Sequence, residues 1–349
     1  MQVKTKFCSI LFLCALFFNP QVKAQSFENP GDYMSYISKA NEELTATYLS
    51  YLSAVAHNRA RKVEKRRLDV VNAIVQTRFN VQGMPPWKGD RSLRDTTVTY
   101  LKILNSVFNE DYAKIVNMEE IAEQSYDAME AYMLAQEKAG EKLQEAAQRQ
   151  NDMQKKFADK YKVTLINTED AIDQKSKLAD ALMKHYDAVY LIFFKPYKQE
   201  AYLMDAINKK NIIAIEENKN SLQRFADEGI QKLKALKGYN DDPSLIVACR
   251  QALEFYKKEA QQTQAMTDFF MKEESFAKMK KAFDSKPASQ RTQEDINAYN
   301  KGVNDTNAAA NNFNNLNKQL NKDRENALNN WNDTVKKYLD NYMPVQHKV

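Results

Sequence analysis

Apolar residues recur along this chain in steps of three and four, the spacing that lines one face of an α-helix. Met118, Ile121, Ser125, Ala128, Tyr132, Ala135, Ala139, Leu143, Ala146, Gln150, Met153 and Phe157 make one such seam, over about eleven turns. Its alanines permit close approach of a neighbouring helix. Ala309, Phe313, Leu316, Leu320, Ala327, Trp331, Val335, Tyr338 and Tyr342 make a second seam, set in a stretch thick with asparagine. Asparagine is a mediocre helix former, so packing has to hold that helix. No long stretch alternates apolar with polar residues, as a half-buried strand would. The pattern predicts an all-α fold, an elongated bundle of about six long antiparallel helices.

Capping chemistry sets the expected boundaries. Asn29-Pro30 opens the first helix, which is expected to run to about Phe79, before Gly83-Met84-Pro85-Pro86. Asp90 opens the second. Asn117 with Glu120 reads as a capping pair for a third helix ending near Lys162, or as a kink in one rod. Val163–Asn167 is a connector. A fourth helix is expected from about Thr168 to Leu236, bent at Pro196. Asp242-Pro243 caps a fifth; Ser285–Thr292 is a loop; Thr292 with Asp295 starts a sixth that ends before Pro344. A helix of 50 residues would be about 75 Å long.

The chain divides into two helical units, 25–167 and 168–349, with hints of two tandem three-helix pseudo-repeats. Tyr51, Ala54, Val55, Lys62, Lys65, Ala73 and Ile74 resemble Tyr186 (displaced by one), Ala188, Val189, Lys195, Lys198, Ala206 and Ile207. Lys88-Gly89 before Ser92-Leu93 resembles Lys237-Gly238 before Ser244-Leu245.

Residues 1–24 read as a cleaved signal peptide. Lys4 and Lys6 precede the short apolar run Phe7–Phe18, and Val22-Lys23-Ala24 offers a cleavage site. That address makes the mature protein exported, to the periplasm or cell surface of a Gram-negative bacterium. Leu13 before Cys14 argues against lipidation. The full chain carries +5; removing Lys4, Lys6 and Lys23 with no acid leaves +2. No pull toward nucleic acid follows. Cys249 is then the sole cysteine and excludes an internal disulfide.

The stretch Asn109–Tyr132 (NEDYAKIVNMEEIAEQSYDAMEAY), with the basic run Ala60–Arg67 (ARKVEKRR), resembles an exported protein family of Gram-negative bacteria, spirochaete-type surface proteins of unknown function. The resemblance covers most of the mature chain. It implies a helical, envelope-associated protein and carries over no functional residue.

Candidate chemistry is sparse. His57, His185 and His347 lack the carboxylate spacing of helical metal sites, so no metal or cofactor is expected. Seven glycines are too few and too scattered for a phosphate-cradling loop. Ser275 and Lys278 match Ser-x-x-Lys without its companion motifs. Arg59, Lys62 and Arg66 form a basic stripe, a candidate for phosphates or acidic sugars, set against an ordinary solvated face. Tyr186, Tyr190, Phe193, Phe194 and Tyr197 beside Pro196 form a candidate ligand groove, set against core packing. Trp87 is expected to cover the end of the bundle. The leading expectation is a non-enzymatic structural, adhesive or scaffolding protein of the cell envelope, with an envelope component or a second copy as partner. The alternative is a binding module for an apolar or anionic envelope ligand.

Overall fold

The computed structural model describes residues 26–56, 60–165 and 171–344. The expected signal peptide, His57, Arg59 and His347 lie outside the described residues. Ten α-helices are present: α1 Pro30–Ala56, α2 Ala60–Gln82, α3 Ser92–Ser106, α4 Tyr112–Ala122, α5 Tyr126–Tyr161, α6 Ala171–Asn208, α7 Ile212–Lys234, α8 Ser244–Gln262, α9 Gln264–Ser285 and α10 Gln293–Tyr342. A π-helical turn, Val107–Asp111, joins α3 to α4. No strand occurs among the described residues beyond two isolated bridges, Trp87–Asp90 and Tyr239–Asp242.

The expected first helix is two helices packed side by side, α1 and α2. The expected fourth is also two, because the chain reverses at Asn208–Asn211 rather than bending at Pro196. Lys210 takes the left-handed conformation and closes α6. Asn211 then caps α7, its Oδ1 accepting from Ala214 N at 3.2 Å. α6 runs straight through Pro196, held by buried aromatics on both sides. The long seam beginning at Met118 belongs to two helices, since the chain turns at Glu123–Ser125 and α4 folds back on α5. Asn117 lies inside α4; the cap of α5 is Ser125, whose Oγ accepts from Ala128 N at 3.1 Å. The final helix matches expectation, with Thr292 and Asp295 forming a reciprocal capping box.

Contacts recur at a fixed spacing. Asp90 Oδ1 accepts from Ser92 N at 2.8 Å, and 152 residues later Asp242 Oδ1 accepts from Ser244 N at 2.8 Å. Lys88 and Gly89 have positive φ; so do Asn240 and Asp241. Buried Val63, Val70, Val81, Leu93 and Leu101 correspond to buried Ile215, Leu222, Leu233, Leu245 and Leu253. The Glu64–Arg67 ion pair corresponds to Glu216–Lys219. This spacing differs from the expected pairing of Lys88-Gly89 with Lys237-Gly238, which is displaced by three residues. Gly238 serves a close approach instead: a Cβ there would come within 2.9 Å of Pro243 N. Likewise Tyr51 corresponds to Leu203, not to Tyr186.

Each half ends in four packed rings. Tyr33, Trp87, Phe157 and Tyr161 form the first set, and Tyr161 Oη donates to Asp90 Oδ2 at 3.0 Å. His185, Tyr239, Tyr338 and Tyr342 form the second, and Tyr342 Oη donates to Asp242 Oδ2 at 2.9 Å. Trp87 is buried and closes one end of the bundle, as expected.

The halves differ in one element. Tyr161 and Tyr342 lie 181 apart where Asp90 and Asp242 lie 152 apart, so the second half is 29 residues longer between these points. The surplus sits in the α9–α10 hairpin. Where the first half turns within Glu123–Ser125, the second continues through about residues 275–306. From Met271 to Gln319 no side chain is fully buried, and α9 and α10 pack chiefly on each other. We call this hairpin the arm. It extends about 20 Å beyond its counterpart.

Candidate functional site

The basic stripe does not form one solvated patch. Lys62 is exposed, and Arg66 pairs with Asp69 at 3.0 Å. Arg66 and Asp69 line an open hollow with Ala46, Thr47, Ser50 and Asn72, so a carboxylate already offsets the charge there. Arg67 points inward. Its guanidinium binds Glu64 at 2.7 and 2.8 Å and donates to Phe108 O at 2.7 Å, a carbonyl in the π-helical turn. A π turn leaves backbone groups without their regular helical partners, and the buried guanidinium serves one of them.

The aromatic set on α6 splits between two interfaces. Phe193 stacks on Trp331 of α10 at 4.3 Å and on Tyr197 at 5.5 Å, inside the second half. Phe194 is buried with Ala122 and Met129, against the first half. Tyr186 and Tyr190 lie 5.6 Å apart and are half-buried beside it. These rings are packing between helices, and their divergence around α6 leaves no shared groove. Burial alone pushes the neighbouring Asp187 up to about 7.

The nucleophile candidates are placed unhelpfully for chemistry. Cys249 is fully buried, and burial pushes its thiol up to about 12, so it stays protonated and inert. Lys278 is tied to Glu274 at 2.7 Å on the exposed arm rather than to Ser275. Among the described residues no group of three or more His, Cys, Asp or Glu is placed to hold a metal ion. No described helix is long and apolar enough to cross a membrane.

One charged cluster went unseen in the sequence. At the root of the arm, Arg324 of α10 pairs with both Glu200 of α6 and Glu259 of α8. Glu259 is fully buried and Glu200 nearly so. The same guanidinium donates to Asn321 Oδ1 at 2.5 Å and touches Met204 Sδ at 3.1 Å. Burial pushes both carboxyls up, and each raises the burden on the other, against the pull of Arg324. Two carboxylates on one guanidinium leave an excess negative charge in a dry layer. The corresponding positions of the first half are Tyr48, Val107 and Leu143. No periodicity signals such a cluster, because its three members lie on helices far apart in sequence and each looks like one more helix-surface charge.

No protein-family model, curated protein or solved structure matches this chain. Its function is therefore read from its own geometry.

Proposed function

We propose that this chain is a non-enzymatic, exported scaffolding or adhesive protein built from two tandem five-segment pseudo-repeats, one of which carries the arm as its contact element. The shared spacing of turns, caps, ion pairs and buried residues supports a duplication. Two repeats packed through α1 and α6 supply a rigid body. The expected signal peptide supports export, to the periplasm or cell surface, and the resemblance to surface proteins agrees with it.

The observation that carries this reading is the surplus hairpin. Helix without a buried face costs conformational entropy and gains little hydrophobic return. Yet the arm is well built at its tip: Lys286 pairs with Asp295 at 2.6 Å, Arg291 Nε donates to Lys286 O at 3.0 Å, and its guanidinium lies over Phe283. At Gly302 a Cβ would fall 2.9 Å from the Phe276 ring, so glycine permits close helix contact. A rigid, solvated projection suits contact with another molecule better than enclosure of a small one.

The test is excision. Replacing residues 275–306 by Glu-Gln-Ser, the turn that closes the first half, should leave a folded body that loses cross-linking to envelope components in intact cells. Unchanged cross-linking in that variant would remove the arm from the function.

A further inference from the structure

We infer that the Glu200–Arg324–Glu259 cluster is a proton-operated latch that fixes the root of the arm to the body. This goes beyond the scaffolding reading and holds whatever the arm contacts. The three residues come from α6, α8 and α10, the helices that meet where the arm leaves the bundle. The junction between α8 and α9 lies one turn from Glu259, at Thr263, whose hydroxyl donates to Glu259 O at 2.8 Å. Closing this layer does not require charge, since the first half closes its own with Tyr48, Val107 and Leu143. Buried ion pairs gain no general stability over apolar packing. A cluster placed only at the root of the arm therefore points to a conditional role.

The neighbouring groups leave one exchangeable proton. Lys258 and Asp323, beside the cluster, pair with each other at 2.8 Å on the outer side. Lys219 of α7 reaches Gln264 at 2.7 Å and pairs with Glu216. The Tyr256 hydroxyl is driven further up by burial and by both glutamates, so it stays neutral. Thr267 of α9 is buried and uncharged. Arg324 neutralises one carboxylate, and a proton on the other removes the remaining charge. Both glutamates are raised in the folded protein, so the latch is strongest below the ordinary glutamate range. It weakens as pH rises through the folded value, about 8 for Glu259.

Hydrogen exchange of the full chain tests this, comparing wild type with Glu259→Gln at about pH 6 and about pH 9. Protection in α9 and in α10 up to Arg324 should fall in wild type relative to the variant as pH rises. The fall should reach at most about tenfold per pH unit, the limit for one proton. Protection in α2 and α3 should show no such difference. A pH response identical in both proteins would overturn the latch. So would a variant less protected than wild type at both pH values, which would mean that an ionised Glu259 is needed. If Glu259→Gln does not fold, Glu200→Gln removes the same charge and carries the same test.

Discussion

The two halves of this molecule solve one packing problem twice, and they part company in a single layer. In the first half, a buried arginine serves the carbonyl of Phe108 where a π turn joins α3 to α4. In the second, Lys219 takes the position of Arg67 and reaches Gln264, just past the α8–α9 junction. Both halves interrupt the same helix at the same place and support the break with a cation from the preceding helix. The first half then turns back at once; the second carries the arm and has a charged cluster under it. The comparison separates what the fold needs from what was added. Turns, caps and aromatic ends recur and belong to the fold. The arm and Glu200–Arg324–Glu259 occur once, and function is sought there.

The cluster gives the sharpest way to break this comparison. Arg324→Met should cost about 3–5 kcal/mol at pH above about 8, because two carboxylates stay buried without a partner. The cost should shrink toward acid, where both glutamates take up protons. Denaturant melts at several pH values would show this. A cost that does not vary with pH would mean the arginine acts by packing alone. Apolar positions should behave alike in both halves. Leu101→Ala and Leu253→Ala, each fully buried in the wild type, should each cost about 2–5 kcal/mol. A difference beyond that range would show that one half is packed more loosely than its twin.

Much of this organisation was legible in the residues. Period-3.6 seams, the Thr292–Asp295 box and the Asp242-Pro243 boundary all led to helices where helices are found. The reversals after α1 and α6 were missed because neither contains glycine or proline. Lys210 adopts the left-handed conformation that glycine usually signals. The polar run Asn208-Lys209-Lys210-Asn211 was the available clue. The register of the two halves was misread because helical composition matches itself at every turn, whereas the Asp-x-Ser-Leu and Asp-Pro-Ser-Leu turns fix the spacing. The basic stripe was half right: Arg66 is a surface residue paired with Asp69, while Arg67, one residue on, is a core residue. The aromatic groove failed because five rings on one helix face two different neighbours.

The capping aspartates allow a finer comparison. Asp90 and Asp242 hold equivalent turns, yet Asp90 also binds Lys160 at 2.7 Å, while the residue corresponding to Lys160 is Asn341. Hydrogen bonds from Lys160 and Ser92 hold the Asp90 carboxyl well below its usual range; those from Ser244 and Tyr342 lower Asp242 against its burial. A lowered carboxyl contributes stability above its unfolded value, and that contribution is lost as pH falls through the native one. Asp90→Ala and Asp242→Ala should each cost about 0.5–2 kcal/mol near neutral pH, with Asp90 the larger. Both costs should fade in acid. Thermal melts of the two variants against pH would reveal an inverted order, which would mean that Lys160 contributes nothing to its turn.

The smallest expected effect is the most telling. Excising the arm removes no fully buried side chain, since none lies between Met271 and Gln319. The shortened chain reuses a turn that already works in the first half, where Ser125 caps α5. Its stability should therefore stay within about 0.5 kcal/mol of wild type, the range for changes away from packed or capped positions. Denaturant unfolding of the excised protein measures this directly. A loss of several kcal/mol would mean that the arm packs on the body and is part of the core after all. An unchanged midpoint would leave a costly, solvated hairpin that the fold does not use, and the reason for keeping it would have to lie in what the arm touches.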